Sequence, residues 1–594
     1  MKQQKTRLIG ILGRSVREYK KNAVLSPIFI ALEVVVDVSI PYVMTQMLLP
    51  CIEAGNVSGI LLYGGILLAM ALVALFFGVV SGWHCSTAAV GFGKNLRKDM
   101  FSAVQEYSFK NIDKFSTSSI ITRMTTDVNF VQQAFMMLIR IALRAPLMLI
   151  FGVVASIMIG GPIAGVIIVL VPVLATAFLL IFKAAHKHFK MLFKKYDVMN
   201  NVVEENIRGM RVVKSNVRES REIEKFNDSS EAIYKNFTKA EGIVVLSGPV
   251  MQLCLYIGLT LIGWLTSKAI INKEIFGIGM DLGVDDLTAL ITYAIQIMIG
   301  LMMFSMVIIQ IVIARASAER ICEMLEEKPD IVSPENAVNE VIDGSIDFDH
   351  VDFVYNAGAN RNTLSDVDLH IKSGETVGLI GATGSGKSTL VQLIPRLYDV
   401  TGGDIKVGGV RVGDYDLNAL RGAVAMVLQK NVLFSGTIRD NLRWGNENAT
   451  EEELNEALRI SRADEFVERI GGLDFVLDQG GANLSGGQRQ RLCIARAIVG
   501  KPKILILDDS TSAVDVRTDA EIRQAFKDFI PSTTKIIIAQ RVSSVKEADK
   551  IIVMDGGRID AVGTHDELLG KNLIYTEVYT SQENEGGDFD AART

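Results

Sequence analysis

One stretch decides the fold of the second half of this chain: Gly381-Ala382-Thr383-Gly384-Ser385-Gly386-Lys387-Ser388. It fits the pattern G-x-x-x-x-G-K-S/T, in which backbone N–H groups cradle phosphates, the lysine reaches the β- and γ-phosphates and the hydroxyl binds Mg²⁺. The apolar run Thr376–Ile380 precedes it and predicts a strand. The stretch therefore predicts a strand, a phosphate-binding loop and a helix.

A second motif follows further along the chain, Leu484-Ser485-Gly486-Gly487-Gln488. A phosphate-binding loop alone would indicate only a nucleotide. Followed by this motif, it resembles the loop and signature sequence of ATP-binding cassette (ABC) proteins. The resemblance implies an α/β P-loop nucleotide-binding domain with ATP and Mg²⁺ as its cofactors.

Length and composition indicate at least two domains. The chain has 594 residues, too many for one core, and its apolar runs crowd the part before residue 315. The formal net charge, 61 − 67 = −6, argues against a nucleic-acid partner. The five cysteines show no CxxC spacing, which favours single thiols over a disulfide framework or a zinc site.

Six stretches are apolar and long enough to span a bilayer, which takes about 20 residues. They lie near 23–49, 59–83, 133–158, 162–183, 243–271 and 287–313. The third and fourth meet at Gly160-Gly161-Pro162, which predicts a tight hairpin. The long connections 84–132 and 184–242 are basic, and basic loops stay in the cytoplasm. Both termini and the nucleotide-binding domain are therefore expected on the cytoplasmic side.

The long connections are predicted to be helices that run on beyond the bilayer. They would turn at short crosswise helices within Asn111–Asp127 and Glu205–Arg218 that touch the nucleotide-binding domain. The second region resembles the second coupling region of ABC exporters; the alternative is a solvated charged face. The basic segment Arg7–Tyr19 predicts an amphipathic elbow helix on the membrane surface.

The predicted domains are a transmembrane domain over 1–320, a linker over 321–343 and a nucleotide-binding domain over 344–580. Short β-like runs separated by helical stretches indicate the α/β class for the last. The acidic, Gly-rich tail 581–594 is predicted to be disordered. The predicted strands are Ser345–Phe348, Val351–Tyr355, Thr376–Ile380, Ala423–Leu428, Ile504–Leu507, Lys535–Ala539 and Lys550–Met554.

The resemblance to ABC exporter half-transporters covers nearly the whole chain and assigns roles to single residues. The expected ATP-binding residues are Tyr355, which stacks on adenine, the loop residues Gly381, Thr383, Gly384, Ser385, Gly386, Lys387, Ser388 and Thr389, then Gln429 and Asp508. The expected Mg²⁺ residues are Ser388, Gln429 and Asp508. Ser512–Asp515 resembles the D-loop at the dimer seam. For Tyr355, packing at a strand end is the alternative.

Two positions depart from the family pattern, and both belong to the hydrolytic machinery. Asp509 stands where the family has a glutamate base, and Gln540 where it has a histidine. Aspartate withdraws the carboxylate by about an ångström, and a misplacement of that order can cost about 100-fold in rate. Glutamine cannot take a proton. The pattern favours a degenerate site that binds Mg-ATP and hydrolyses it slowly; the alternative is neutral drift.

In ABC dimers each ATP lies between the P-loop of one cassette and the signature of the other. The intact signature here, Ser485, Gly486, Gly487 and Gln488, would complete a catalytic site on a partner. We therefore expect a heterodimer with a second, different half-transporter that carries the glutamate and the histidine. This pattern resembles the heterodimeric bacterial multidrug-type ABC exporters of the plasma membrane.

The predicted activity is that of a transport ATPase, with hydrolysis mainly at the partner's site, exporting lipophilic or amphiphilic small molecules from a lipid membrane. A lipid flippase, a peptide exporter and a non-transporting, ATP-sensing regulatory subunit are the alternatives. The absence of a protease-like N-terminal extension disfavours peptide processing.

Charged residues within predicted spans are functional candidates. Glu33 and Asp37 share one helix face, as do Arg140 and Arg144. They either pair with one another, lie at headgroup level, or line a cavity that attracts cationic amphiphiles. Segment six carries side chains suited to packing or to loose recognition of varied cargo: Gln296, Met298, Met302, Met303, Met306 and Gln310.

Overall fold

The computed structural model describes residues 2–275, 278–279, 282–355, 362–509 and 514–586. The chain forms two compact units. One comprises Met1–Gln105 and Phe115–Glu327, and the other Glu106–Lys114 and Lys328–Thr594. The first is helical and the second is α/β, which confirms the predicted fold class.

Long helices dominate the chain up to residue 326. They are α1 (Lys2–Arg14), α2 (Lys20–Val43), α3 (Leu49–Glu53), α4 (Val57–Glu106), α5 (Phe109–Lys114), α6 (Thr117–Thr122), α7 (Val128–Gly160), α8 (Gly165–Arg208), α9 (Met210–Ser215), α10 (Glu219–Val245), α11 (Ser247–Asn272) and α12 (Val284–Glu326). Two short strands, β1 (Glu274–Ile275) and β2 (Ile278–Gly279), pair antiparallel between α11 and α12.

The helices that are able to span a membrane lie where the six apolar stretches were predicted. Among the described residues, five helical stretches are long and apolar enough to cross a membrane: Arg17–Glu53, Val57–Glu106, Thr117–Ala185, Glu219–Asn272 and Val284–Glu326. The third stretch contains α7 and part of α8, so the third and fourth predicted spans both lie in it. Gly161 turns the chain between them with φ +47, a conformation that glycine adopts at little cost.

The second and fourth predicted spans continue as unbroken helices. α4 has 50 residues and α8 has 44. At 1.5 Å per residue each is roughly 65–75 Å long, about twice the thickness of a bilayer's hydrocarbon core. The basic connections are therefore helical extensions, as predicted. The short helices α5 and α9 lie at the two predicted turning regions.

Three of the four charged residues singled out within the spans pair with one another. The guanidinium of Arg144 in α7 donates one hydrogen bond to Glu33 and another to Asp37 Oδ2 at 2.8 Å, both in α2. Glu33 is 8% exposed. Arg140 lies elsewhere, over Gly82 of α4, where a Cβ atom would be 3.6 Å from its guanidinium. One arginine thus compensates two acids inside the helical unit.

The helix α12 extends beyond the predicted end of the transmembrane domain at residue 320. Its last turns form ion pairs, Arg123 Nη1 with Glu323 Oε2 at 3.0 Å and Arg7 Nε with Glu326 Oε1 at 2.6 Å. These pairs stabilise six more helical residues than the sequence pattern indicated. Pro329 follows, which disfavours further helix.

The second unit holds the nucleotide-binding domain. Its strands are β3 (Ile346–Phe353), β4 (Leu364–Ile371), β5 (Thr376–Gly381), β6 (Gly402–Val407), β7 (Val410–Arg411), β8 (Val424–Val427), β9 (Gly436–Thr437), β10 (Val476–Leu477), β11 (Ile504–Asp508), β12 (Thr534–Ile538), β13 (Lys550–Asp555) and β14 (Arg558–Gly563). Its further helices are α13 (Lys387–Leu393), α14 (Leu417–Ala423), α15 (Ile438–Arg443), α16 (Glu451–Ile460), α17 (Asp464–Ile470), α18 (Gly486–Val499), α19 (Val516–Phe529), α20 (His565–Leu568) and α21 (Leu573–Gly586).

Two sheets organise the described part of this domain. One has the strand order β14-β13-β5-β12-β11-β8, with all pairs parallel except β13 with β14. The other is antiparallel, in the order β4-β3-β6-β7. The two runs predicted at 345–355 are the single strand β3. Apolar side chains of β5, β11, β12 and β13 fill the cores on both faces of the parallel sheet.

The two boundaries of this domain differ from the predicted ones. Residues from Lys328 onward belong to its compact unit, because Val338 bridges to the cassette through Asp414 and Asp416 at 2.9 and 3.0 Å and Val341 is buried. Much of the predicted linker is therefore part of the cassette. The helix α21 continues to Gly586, so residues 581–586 of the predicted disordered tail are helical; residues 587–594 lie outside the described chain.

We expect Arg144→Met to destabilise the purified protein by about 3 kcal/mol, because it leaves two partly buried carboxylates uncompensated. Thermal unfolding in detergent would show a melting temperature several degrees lower. The triple variant Glu33→Gln, Asp37→Asn, Arg144→Met should recover most of the loss, and Arg140→Met should cost less. Equal melting of Arg144→Met and the wild type would contradict this account.

Candidate functional site

The candidate site lies where parallel strands end. The P-loop follows β5, Gln429 follows β8, Asp508 ends β11 and Gln540 follows β12. Because β5, β12, β11 and β8 are parallel neighbours, their carboxyl ends share one edge of the sheet. The topology thus brings together residues that are far apart in the sequence.

The P-loop needs its glycines for space as well as for conformation. Gly386 has φ +97, and a Cβ atom there would lie 2.8 Å from Leu364 Cδ2 and 3.1 Å from the carbonyl oxygen of Thr363. A Cβ atom at Gly381 would lie 2.2 Å from the carbonyl oxygen of Met554 in β13. The loop is therefore packed against strand β13 and the β4 edge, which fixes its backbone N–H groups.

Lys387 begins α13 and folds back over the loop. Its Nζ donates to the carbonyl oxygens of Gly381 at 2.7 Å and Ala382 at 2.9 Å. Burial lowers the pKa of the ammonium, opposed by the charges of Asp508 and Asp509. Both partners are neutral carbonyl oxygens, so the positive charge remains available for a phosphate.

Ser388 and Asp508 form the candidate Mg²⁺ position. Ser388 Oγ donates to Asp508 Oδ1 at 3.1 Å, and Asp508 is 5% exposed. Burial raises the pKa of this carboxyl, as does Asp509, whereas Ser388 and Lys387 lower it. A hydroxyl and a carboxylate with a nearby glutamine amide form the oxygen donor set that Mg²⁺ prefers. The residues present therefore fit the ion.

Asp509 is held by both glutamines of the site. Its Oδ2 accepts from Gln540 Nε2 at 2.8 Å and from Gln429 Nε2 at 3.4 Å. The backbone has φ +48, a left-handed conformation that aspartate tolerates better than most residues. Burial raises the pKa of Asp509, and the two amides lower it. The carboxylate is thus fixed in orientation by two amide donors.

Tyr355, the expected adenine-stacking residue, follows β3. Its hydroxyl lies 3.1 Å from Thr389 Oγ1 and donates to Gln392 Oε1 at 3.3 Å. Its ring meets Phe353 and Tyr398 edge-on, with centroids 4.8 and 5.1 Å away. The side chain is nevertheless 40% exposed. Packing and an open surface therefore coexist at this position.

Tyr398 is a neighbour of the site that lies in no recognisable sequence motif. Its hydroxyl donates to Asp113 Oδ2 of helix α5 at 2.8 Å, and its ring lies 6.0 Å from that of Phe109. Burial and the Asp113 carboxylate raise the pKa of Tyr398, so the hydroxyl stays protonated and donates. A single tyrosine therefore joins Tyr355 to the first turning helix.

Helix α5 and the residue before it also contact the stretch Lys328–Asp330, which belongs to the same unit. Ser108 donates to Asp330, Asn111 Nδ2 donates to the carbonyl oxygen of Lys328 at 3.3 Å, and Lys110 pairs with Asp330 at 3.4 Å. These contacts come from residues 108–113, so they include only the first residues of the predicted turning region Asn111–Asp127; from Phe115 onward that region belongs to the other unit.

The signature motif caps α18. Ser485 Oγ accepts from Gln488 N at 3.3 Å, and Gln488 Oε1 accepts from Ser485 N at 2.8 Å. This capping box leaves Gly486 and Gly487 in the first turn, where backbone N–H groups attract anions. In the D-loop, Ser512 lies outside the described residues, and Asp515 caps α19 by accepting from Thr518 N at 3.0 Å.

Family models match both halves of the chain. Residues 24–302 match the model of the ABC transporter transmembrane region, and residues 364–512 match the model of the ABC transporter family. Together these matches cover the helical unit and the core of the α/β unit.

Bacterial proteins are similar to this chain over nearly its whole length. The uncharacterized ABC transporter ATP-binding protein YfiB of Bacillus subtilis is 33% identical over 567 residues, 95% of this chain and 97% of its own length. The uncharacterized ABC transporter ATP-binding protein Rv1273c of Mycobacterium tuberculosis is 32% identical, and the match covers 97% of this chain and 98% of that protein. A solved bacterial Atm1-family ABC exporter with ATP bound superposes with a TM-score of 0.82 at 22% identity, covering 95% of this chain and 98% of that one. This likeness concerns the fold.

We expect Asp508→Asn to raise the melting temperature of the empty protein at neutral pH. The folded-state pKa of Asp508 is raised, so its charge is destabilising above the unfolded pKa, and this cost disappears as pH falls through the folded pKa. The stabilisation by asparagine should therefore shrink toward acidic pH. The same variant should bind ATP without dependence on Mg²⁺. A variant that melts below the wild type at pH 7 would contradict the assignment.

Proposed function

Since this chain belongs to the ABC transporter family, as an ATP-driven exporter with a transmembrane and an ATP-binding domain, we propose that it is the degenerate-site half of a heterodimeric exporter of lipophilic or amphiphilic small molecules. It would act in a bacterial plasma membrane, with both termini and the nucleotide-binding domain cytoplasmic. The basic helical extensions of α4 and α8 support this orientation.

The observation that carries the proposal is the state of Asp509. A general base for water needs a free carboxylate oxygen within hydrogen-bonding reach of the water. Here the shorter acid replaces glutamate, and its Oδ2 is shared by Gln540 and Gln429. Gln540 cannot carry a proton or a positive charge. This arrangement supports a site that binds the nucleotide and hydrolyses it slowly.

In this proposal the chain's own residues bind and orient the nucleotide. The P-loop N–H groups and Lys387 bind phosphate oxygens, and Ser388, Gln429 and Asp508 hold Mg²⁺. The ion, when bound, neutralises phosphate charge. Tyr355 offers its exposed ring surface to adenine, while its hydroxyl ties the ring to Thr389 beside the P-loop.

The intact signature supports a catalytic site on a different chain. Ser485, Gly486 and Gly487 form a capped helix start that suits a phosphate presented by a partner cassette. A homodimer would pair this signature twice with the degenerate P-loop site. A heterodimer gives it a partner whose site carries the glutamate and the histidine, so hydrolysis takes place mainly there.

Helix α5 supports coupling between nucleotide and membrane helices. It lies in the chain between α4 and α7, and the Asp113–Tyr398 hydrogen bond ties it to the aromatic cluster around Tyr355. ATP-driven movement of the cassette would therefore move the ends of both helices. Transport then requires only that the two conformations differ in their affinity for cargo.

The deciding experiment is native mass spectrometry of the tagged chain, extracted gently from its own membrane. We expect one copy of this chain and one different half-transporter. In that complex Ser485→Ala should reduce ATP hydrolysis by about 100-fold, because it removes a donor to charge that develops in the transition state. Asp509→Asn should change hydrolysis by less than about twofold.

The matched pair makes the proposal easy to refute. Both substitutions are nearly isosteric, and they alter different sites in the dimer. Two copies of this chain, together with hydrolysis that is lost in Asp509→Asn as well as in Ser485→Ala, would mean that Asp509 is a working base.

We also expect Tyr398→Phe to weaken cargo stimulation. The change removes the hydroxyl that donates to Asp113 and keeps the ring that packs on Tyr355. A hydrogen bond to a charged group contributes about 1.5–3 kcal/mol, less at a partly exposed site, so the ratio of cargo-stimulated to basal ATPase should fall severalfold. Asp113→Asn should match it, and the double variant should add little. If the two substitutions reduced cargo stimulation additively, the two residues would not act through their common hydrogen bond.

A further inference from the structure

The C-terminal helix reaches the switch position through one side chain. Gln582 of α21 uses both ends of its amide on the loop after β12. Its Oε1 accepts from Val542 N at 2.8 Å, and its Nε2 donates to the carbonyl oxygen of Gln540 at 2.7 Å. These two bonds bracket Arg541 and close a small ring on the loop backbone.

Other contacts hold the later part of this loop, where Arg523 Nη1 donates to the Ser543 carbonyl oxygen at 3.0 Å and Val542 is buried, but the sheet supports the part around Gln540 only weakly. The parallel pairing of β12 ends at Ile538, and Ala539 N donates to the carbonyl oxygen of Leu379 at a long 3.3 Å. Beyond that the backbone at Gln540 lies outside the sheet. The Gln582 amide therefore supplies hydrogen bonds to the backbone just beyond the last residues that the sheet binds.

The helix that presents Gln582 is firmly attached to the cassette. Tyr575 is completely buried, and its hydroxyl lies 2.7 Å from His565 Nδ1. The ring of Tyr579 packs against the core and lies 5.7 Å from the ammonium of Lys546. Gln582 thus projects from an anchored helix, so it can fix the loop rather than follow it.

Fixing the backbone of Gln540 fixes its side chain. Gln540 Nε2 lies 2.8 Å from Asp509 Oδ2, so two successive amides connect α21 to the acid after β11. We propose that Gln582 is a positioning residue through which the C-terminal helix sets the ATP retention of this chain's nucleotide site. This inference rests on the proposed function, because it concerns how that slow site holds its ATP.

The chemistry requires a primary amide of this length. A primary amide carries its acceptor and its donor on two separate atoms, so it can bind the Val542 N–H and the Gln540 carbonyl at the same time. Glutamate could accept from Val542 N but would oppose the Gln540 carbonyl with a second acceptor. Leucine would offer neither partner while filling similar space. Comparing glutamine, glutamate and leucine at position 582 therefore distinguishes loss of the two hydrogen bonds from loss of side-chain packing.

The test uses the full complex with Gln582→Leu, Gln582→Glu and, as control, Glu577→Gln at an exposed position of the same helix. The first measurement is amide hydrogen exchange of peptides covering residues 539–545. We expect exchange roughly tenfold faster in both Gln582 variants, as the loss of two hydrogen bonds implies, and unchanged in the control.

The second measurement is retention at this chain's own site. Radiolabelled 8-azido-ATP is bound with Mg²⁺, chased with unlabelled ATP and photo-cross-linked, so that the labelled chain identifies the site. We expect a retention half-life roughly tenfold shorter in Gln582→Leu and Gln582→Glu. In a Gln540→Ala background, Gln582→Leu should add nothing, because it acts through Gln540.

The two measurements distinguish failure of the proposed function from failure of this inference. Wild-type complex that retains no label on this chain would overturn the proposed function, and this inference with it. Wild-type retention that is unchanged in Gln582→Leu would overturn the inference alone, whether or not exchange is faster. Additive effects of Gln582→Leu and Gln540→Ala would also overturn it, since a merely structural role predicts additivity.

Discussion

Parallel strand pairing is the constraint on which the nucleotide site depends. Because β5, β12, β11 and β8 run in one direction, the residues that follow them meet at one sheet edge. Four separate parts of the chain supply the residues of the site: the P-loop, Gln429, the pair Asp508 and Asp509, and Gln540. An antiparallel neighbour would have sent one of them to the far edge. The buried apolar runs that drive this pairing therefore matter as much as the polar residues they carry.

The proposed function attributes a change of chemistry to two small substitutions on a preserved framework. The P-loop, the buried Asp508 and the capped signature match the pattern expected of the family, whereas Asp509 and Gln540 depart from it. Two glutamine amides donate to Oδ2 of the Asp509 carboxylate. In the proposed function this carboxylate holds the geometry of the site and does not orient the attacking water.

Sequence patterns predicted what depends on local composition or spacing. The buried strands β5, β11, β12 and β13 were visible as apolar runs, and the membrane helices as long ones. Strand β4 was missed although its residues alternate in burial, because its charged alternate positions resemble a loop. Spacing predicted that Glu33 and Asp37 share a face, but it could not show that Arg144 alone pairs with both. Tyr398 and Gln582 lie in no motif, and only the tertiary structure brings them to the site.

The placement of α5 also constrains how the protein is made. Asp113 and Tyr398 are 285 residues apart in the sequence. At about 5–20 residues per second, the ribosome delivers Tyr398 roughly 15–60 s after Asp113. During that time the polar face of α5 has no cassette to bind, although the helices on either side of it are already available for insertion. Biogenesis must therefore leave this loop free in the aqueous phase, and the two units cannot mature as independent, consecutive domains.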